Sequence, residues 1–348
     1  MPFLFAQTAL SPSTQQRSID TPIYWYMWGY GNNESYAVSS LMEAKSKSGL
    51  NSVTLAFVIG NSTGGFNNFA SNEMSDIKAF IASGGTVYIS FGGATSPDVA
   101  DILSEDQIFQ NMEQLYLESG CRGFDWDIES AAVAMSIENT LRANVIKRMQ
   151  SKYPEMYFSL TLPTDQHGLS TDGANCLALF FKLGVTINSV RGMVMDDYVN
   201  LIDWGVISIG TVDALKDQVK SIFGISDQQA YSKIMPIFMI GQNDDQTVFT
   251  LDNAQKLTNY VIEKQLAGIS YWAFQRDQAT KSGVAVSSNI DQSDFAYWNV
   301  VKMAQGGTLS TTTETLLPIA TEDATETLDT LFEPVEAQLA PPIGQATQ

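Results

Sequence analysis

The sequence predicts an α/β fold, a (β/α)8 TIM barrel in which eight parallel strands alternate with helices. Eight short apolar runs occur between Pro22 and Phe274, and several are nearly continuous in Val, Ile, Phe and Tyr. Such runs are typical of parallel strands that are buried on both faces. Amphipathic stretches separate the runs, and eight strand–helix units in roughly 285 residues fit one barrel. An open doubly wound sheet is the alternative, but no G-x-G-x-x-G motif follows the first run.

The elements follow in order along the chain. The predicted strands cover Pro22–Tyr30, Ser52–Ile59, Thr86–Phe91, Gly123–Ile128, Met156–Leu162, Val190–Met195, Ile234–Ile240 and Gly268–Phe274. The predicted helices cover Glu73–Ala82, Ile108–Glu118, Ile137–Lys152, Thr211–Phe223 and Asp252–Leu266. We therefore expect a barrel over residues 21–305, with an irregular leader over residues 1–20.

Residues 306–348 differ in composition from the rest of the chain. They contain no Lys, Arg or His but seven acidic residues, together with many Thr, Ala, Leu and Pro. Without clear periodicity, this segment is expected to be a disordered tail or linker. A role in tethering or docking to an unknown partner is the alternative.

Charge and composition exclude several classes of function. The formal net charge is −19, from 19 basic and 38 acidic side chains, so nucleic acid and anionic membranes are disfavoured partners. The single histidine, His167, excludes most zinc hydrolase sites, and we expect it in an exposed loop. Cys121 and Cys176 are expected to be buried thiols, so no metal or other cofactor is predicted. Chemistry near neutral pH must then depend on carboxylates, tyrosines or a lone lysine.

The most informative segment is the fourth predicted strand, which ends in Asp125-Trp126-Asp127-Ile128-Glu129. Because strand side chains alternate between faces, the three acids should enter the barrel while the apolar residues face the helices. Three neighbouring carboxylates cannot all ionise easily, so at least one pKa should be raised. Glu129 lies nearest the carboxyl end of the strand, where TIM barrels hold their active sites, and a protonated carboxyl there is a general acid.

Three other interpretations of this strand remain open. The acids could bind a divalent cation, they could form a solvated edge strand, or they could belong to an inactive lectin-like barrel. The bulky apolar residues between the acids argue against an edge strand.

Six ordered motifs resemble glycoside hydrolase family 18, the chitinases and related endoglycosidases. The family's D-G-x-D-x-D-x-E signature is matched by residues 122–129, with Arg122 in place of the first Asp. The other matches, over about residues 20–300, are Ser90-Phe91-Gly92-Gly93, Thr161-Leu162-Pro163, Met193-Val194-Met195-Asp196, Met239-Ile240-Gly241-Gln242 and Tyr271-Trp272-Ala273. An extra residue, Asp197, precedes Tyr198 after the sixth strand, so either could occupy the position of the family's acetamido-binding tyrosine.

The resemblance implies hydrolysis of β-1,4-linked N-acetylglucosamine polymers such as chitin, by a retaining mechanism in which the substrate's acetamido oxygen is the nucleophile. It assigns proton transfer to Glu129, acetamido orientation to Asp127, proton sharing to Asp125 and a hydrogen bond to Tyr198. The expected substrate contacts are Trp28, Phe57, Ser90, Gly92, Gly93, Met195, Asp196, Gln242 and Trp272.

Residues 241–267 have no room for the α+β insertion that deep-tunnel chitinases carry, so the resemblance also implies an open groove and internal cleavage. An endo-β-N-acetylglucosaminidase acting on other glycans is one alternative. A non-catalytic carbohydrate-binding barrel is another, and a particle-associated subunit is a third. A chitin substrate would place the protein outside the producing cell, although the first ten residues lack the features of a standard signal peptide.

Overall fold

A computed structural model describes residues 19–28, 36–61, 63–67, 69–94, 98–196 and 203–307. The predicted leader and tail lie outside these residues, apart from Ile19, Asp20 and residues 306–307. Tyr198 and Asp197 also lie outside them.

Eight parallel strands form the centre of the described part of the chain, as predicted. They are β1 (Ile23–Tyr26), β2 (Ser52–Val58), β3 (Thr86–Gly92), β4 (Gly123–Asp127), β5 (Tyr157–Asp165), β6 (Ser189–Met193), β7 (Ile234–Met239) and β8 (Ser270–Trp272). Each strand pairs in parallel with the next strand along the chain. Three two-residue strands, at Gly168–Leu169, Gly241–Gln242 and Val248–Phe249, form short antiparallel extensions beyond β5 and β7.

The sheet curls so that its first and last strands meet. Asp20, just before β1, bridges Gly268, just before β8. The Asp20 N–H donates to the Ala267 carbonyl at 3.3 Å, and the Ile269 N–H donates to the Asp20 carbonyl at 3.0 Å. A sheet whose ends hydrogen-bond is a barrel, so the doubly wound alternative does not apply.

Helices cover the outside of the barrel. They are α1 (Leu41–Ser48), α2 (Ser71–Ala82), α3 (Val99–Ile102), α4 (Glu105–Ser119), α5 (Ser136–Lys152), α6 (Thr171–Lys182), α7 (Trp204–Phe223), α8 (Asp227–Tyr231), α9 (Leu251–Lys264) and α10 (Ala296–Val301). Many begin at side-chain caps: the Ser104 hydroxyl accepts from the Gln107 N–H, and α4 then ends at Gly120 in the left-handed conformation. Among the described residues, no helix is long and apolar enough to cross a membrane.

The two faces of the strands carry different residues. Phe124, Trp126 and Ile128 of the β4 region are fully buried in the large apolar core between strands and helices. The barrel interior instead contains a buried polar group that includes Asp125, Asp127 and Arg191. Alternation along the strand therefore directs the acids inward, as the sequence predicted.

Several smaller predictions can be compared directly. Cys121 and Cys176 are buried free thiols, as predicted, and His167 is exposed in a turn. Between β7 and β8, residues 240–269 contain a short hairpin and α9 but no inserted domain. Helices α1 and α6 and the short helices α3, α8 and α10 were not predicted.

Candidate active site

A cavity of about 660 Å³ lies at the carboxyl ends of the strands, where barrel enzymes hold their active sites. The predicted site residues that line it are Trp28, Phe57, Asp127, Glu129, Met195, Asp196 and Trp272. Strands on opposite sides of the barrel supply them, because the ends of parallel strands in a closed sheet surround one mouth.

Asp125 is the deepest of the three acids and is fully buried. Its carboxylate accepts hydrogen bonds from the hydroxyls of Ser90 (2.7 Å), Ser159 (2.5 Å) and Thr161 (3.0 and 3.1 Å). The Tyr24 hydroxyl lies 3.1 Å from its Oδ2. Donors thus surround Asp125, which does not line the cavity.

Asp127 is next along the strand and has fewer donors. The Tyr24 hydroxyl lies 3.4 Å from its Oδ2, and no donor among the described residues reaches its buried Oδ1. Burial raises the pKa of Asp127 well above its usual range, and the charges of Glu129 and Asp125 add to this. Arg191 and the Tyr24 hydrogen bond oppose the increase.

Glu129 follows β4 and is the outermost acid. Burial raises its pKa, a hydrogen bond with the Asp127 carboxyl lowers it and the charge of Asp196 raises it, and together they give a pKa of about 7. Two carboxyl groups can share a hydrogen bond only if one of them carries a proton. Because this bond lowers the Glu129 pKa, it stabilises the Glu129 carboxylate, with the Asp127 carboxyl as the donor. With a pKa of about 7, Glu129 is still partly protonated near neutral pH and can act as an acid.

Aromatic rings form one wall of the cavity. The Trp272 and Phe57 rings stack with centroids 5.6 Å apart and planes at 17°, and Trp28 lies 6.5 Å from Phe57 at 26°. Trp28 also stacks on Tyr26 at 4.6 Å and remains 52% exposed. Broad apolar faces beside polar groups are suited to binding the faces of sugar rings.

Two glycines predicted to contact substrate lie where the chain packs closely, and their substrate contact stays a prediction. Gly92 has φ +98°, and a Cβ there would lie 2.2 Å from the Asp127 carbonyl oxygen. Gly93 has φ +85°, its N–H donates to the same carbonyl at 3.0 Å, and a Cβ there would meet the Phe57 ring at 2.6 Å. Neither lines the cavity, so both act by letting the β3 turn approach the end of β4.

The predicted substrate contacts at Ser90 and Gln242 are likewise not on the cavity wall. Ser90 is fully buried and donates its hydroxyl to Asp125. The Gln242 side chain accepts a hydrogen bond from Asn289, at 2.5 Å, and its carbonyl accepts one from Arg276. Both residues support neighbouring groups.

Comparisons with known proteins agree with the strand motifs. Endochitinase 11 of Metarhizium anisopliae is 28% identical over 252 residues, covering 66% of this chain and 48% of that protein. The probable bifunctional chitinase/lysozyme of Escherichia coli (strain K12) is 28% identical over 255 residues, covering 66% of this chain and 28% of that protein. The chain thus spans less than half the length of either relative.

A solved structure of active domain 2 of the chitinase from Pyrococcus furiosus superposes with a TM-score of 0.75. It is 24% identical, and the match covers 83% of this chain and 97% of that chain, which supports the barrel fold. No family model matches the chain. In sequence the chain is thus similar to two chitinases, in agreement with the strand motifs that resemble glycoside hydrolase family 18.

Sequence reasoning missed several residues of this site. Tyr24 on β1 contacts Asp125, Asp127 and Thr161, and Asp244 lines the cavity beside Asp196. A signal for Tyr24 was present: it is a polar-tipped aromatic inside an apolar strand, where a buried hydroxyl needs a partner.

The end of β6 is only partly described. Asp196 lines the cavity, and its Oδ1 accepts hydrogen bonds from the N–H groups of Asp244 (2.8 Å) and Asp245 (3.3 Å). Burial raises the Asp196 pKa. The predicted role of Tyr198, and the choice between Tyr198 and Asp197, fall outside the described residues and stay predictions.

Proposed function

We propose that this chain is a chitinase-type glycoside hydrolase that cleaves β-1,4-linked N-acetylglucosamine polymers with retention of configuration. The observation that carries the proposal is Glu129, a cavity-lining acid with a pKa near 7, hydrogen-bonded to a second buried carboxyl. The two curated relatives, named as an endochitinase and a chitinase/lysozyme, support the substrate class.

The first step assigned to Glu129 is protonation of the glycosidic oxygen as the bond to the leaving sugar breaks. A carboxyl with a pKa near the working pH is a good general acid, because it is protonated beforehand and releases its proton readily. After departure of the leaving group, the same carboxylate accepts a proton from the attacking water.

The nucleophile in this proposal is the acetamido oxygen of the substrate, as in glycoside hydrolase family 18, whose motifs the strands resemble. The Asp127 Oδ1 atom has no donor among the described residues, and an acetamido N–H of a bound sugar can supply one. That contact would align the acetamido group and stabilise the positive charge on the ring it forms. Tyr198 is proposed to bind the acetamido carbonyl, and Asp125, with its several donors, to share the proton of Asp127.

Trp272, Phe57 and Trp28 are proposed to bind the apolar faces of consecutive sugar rings. Because residues 240–269 hold only a hairpin and α9, no added domain covers this side of the mouth. We therefore propose internal cleavage of long chains. Release of disaccharide alone from a long oligomer at early times would contradict this mode.

The test of the function compares wild type with Glu129→Gln on a fluorogenic chitotrioside. Glutamine keeps the shape of the side chain but has no transferable proton, so we expect a loss of kcat of about 100-fold or more. Near-UV circular dichroism of both proteins checks that the fold is retained. Equal turnover by the two proteins would overturn the proposal.

One observation favours a second substrate. The relative from Escherichia coli is named as both a chitinase and a lysozyme, and peptidoglycan shares the β-1,4 linkage and the acetamido group. Assays of wild type on peptidoglycan and on chitin oligomers, at equal concentrations of cleavable bonds, separate the two. Faster cleavage of peptidoglycan would show that peptidoglycan, not chitin, is the preferred substrate.

A further inference from the structure

A buried guanidinium lies beneath the acids of β4. Arg191 is on β6, and its side chain is fully buried in the barrel interior. Its Nη1 donates to the Thr54 hydroxyl on β2 at 2.9 Å, and its guanidinium lies 5.5 Å from the centre of the Tyr88 ring on β3. The side chain therefore crosses the barrel interior below the cavity, and it does not line the cavity wall.

Its ionic partner is Asp125. The Arg191 Nε lies 3.6 Å from the Asp125 Oδ1, and both side chains are fully buried. Among the described residues, neither Nε nor Nη2 of Arg191 has a hydrogen-bond partner. The contact is thus a charge held close to a carboxylate rather than a bidentate pair, and its effect is mainly electrostatic.

Burying a charge is unfavourable unless it is compensated. A buried guanidinium with two nitrogens that lack hydrogen-bond partners is therefore less favourable for stability than an apolar side chain would be. The positive charge of Arg191, however, can stabilise the negative charge of the two buried carboxyl groups. Asp125 and Asp127 lie together in the same low-dielectric interior, and each destabilises negative charge on the other.

We propose that Arg191 is a positioning residue that stabilises negative charge on the Asp125–Asp127 pair beneath Glu129. This inference rests on the proposed hydrolase function. Arg191 would act through the acids and would not touch the sugar.

The groups that face this charge can be named from each strand. Arg191 faces Asp125, Tyr24 on β1, Tyr88 on β3 and Tyr157 on β5. Burial raises the pKa of Tyr24 and of Tyr88, so both hydroxyls remain neutral. The anionic partners of the guanidinium are therefore the carboxylates of β4.

The charge of Arg191 affects the pKa of Asp127 but not that of Glu129. The charge of Arg191 lowers the pKa of Asp127, whose other charged or titratable neighbours are Glu129, Asp125 and Tyr24. The pKa of Glu129 is set by its burial, Asp127 and Asp196. Removing Arg191 should therefore raise the pKa of Asp127 and leave that of Glu129 nearly unchanged.

The test is the pH dependence of kcat/KM for Arg191→Met, Arg191→Lys and wild type on a chitotrioside. An opposite charge near a carboxyl typically lowers its pKa by about one unit or more. We expect Arg191→Met to move the acidic limb up by about one pH unit, with the alkaline limb unchanged. Lysine restores a point charge and should return the acidic limb towards wild type.

Arg142 offers a matched control. It is also a fully buried arginine, and its Nη2 pairs with Asp98 at 3.0 Å. It lies over the Trp126 ring, on the helix side of β4 rather than in the barrel interior. Arg142→Met should lose stability through its own broken ion pair but keep both limbs of the pH profile. If it shifts the acidic limb as Arg191→Met does, or if Arg191→Met shifts neither limb, the inference is overturned.

A second readout does not require turnover. Proteins labelled with ¹³C at the carboxyl carbons of Asp and Glu can be titrated by NMR, with the Asp127 signal assigned from Asp127→Asn. The Asp127 titration should move up in Arg191→Lys less than in Arg191→Met. An unchanged Asp127 titration in Arg191→Met would refute the inference, whereas inactivity of wild type with a shifted titration would refute only the proposed hydrolase function.

Discussion

Glutamine at position 129 should stabilise the folded protein above pH 7, although it should abolish activity. Glu129 is held with a pKa of about 7 instead of its ordinary 4.5, chiefly because it is buried. Between these two pH values the folded chain keeps a proton on Glu129 that the unfolded chain has released. The unfolded state therefore gains relative stability as the pH rises, and the folded state loses it.

The size of the effect follows from the two pKa values. Each pKa unit corresponds to about 1.36 kcal/mol, so ionised Glu129 lowers the free energy of unfolding by about 3 kcal/mol once the pH exceeds 7. Glutamine cannot ionise, and its amide oxygen can still accept a hydrogen bond from the Asp127 carboxyl. The stability difference between Glu129→Gln and wild type should thus rise from below about 1 kcal/mol at pH 5 to about 3 kcal/mol at pH 8.5.

Urea denaturation at several pH values measures this difference. Other buried acids titrate in the same range, including Asp277, whose pKa burial raises to about 6. The difference between variant and wild type removes their contribution. Glu118→Gln, at an exposed site on α4, is the control and should follow the wild-type curve. A Glu129→Gln protein whose stability falls with pH as steeply as that of wild type would refute the reasoning.

Two further predictions concern the cavity wall and the turn beneath it. Trp272→Ala removes the ring that stacks on Phe57, so KM for a chitotrioside should rise about 10-fold, with the fold retained by circular dichroism. Gly92→Ala should lower the free energy of unfolding by more than about 2 kcal/mol, because its Cβ would lie 2.2 Å from the Asp127 carbonyl oxygen. Gly120→Ala, at φ +72° with no atom within 4 Å, should cost only about 1 kcal/mol, and equal losses at the two glycines in urea denaturation would contradict the steric argument.

The strands could be predicted because their residues are buried on both faces. All eight predicted runs overlap barrel strands, since continuous apolar segments have few alternatives in a folded chain. Helix α1 was missed because it is short and mostly polar, with only Leu41 and Ala44 buried. In α6 the apolar residues lie towards the end, after a start containing Gly173, so its pattern gave a weak periodic signal.

The site was predictable only where a single strand carries it. Alternation along β4 places Asp125, Asp127 and Glu129 without knowledge of any other strand. Tyr24 and Arg191 belong to strands 101 residues before Asp125 and 66 residues after it, and their contacts depend on how the barrel closes. Ser90 was selected from a motif, but its depth in the barrel decides that it supports Asp125 instead of binding sugar.

The three acids of β4 are chemically similar, yet their surroundings differ in a regular order. Asp125 receives several hydroxyl donors and a nearby guanidinium, Asp127 has one distant hydroxyl and a bare oxygen, and Glu129 has burial and the carboxyl of Asp127. Hydrogen-bond donors and the guanidinium are therefore concentrated at Asp125, deepest in the barrel, and become fewer towards the cavity. The acids that most favour protonation are thus Asp127 and Glu129, whose pKa values burial raises, so the proposed proton transfer depends on where β1, β3, β5 and β6 place their polar side chains as much as on the acids themselves.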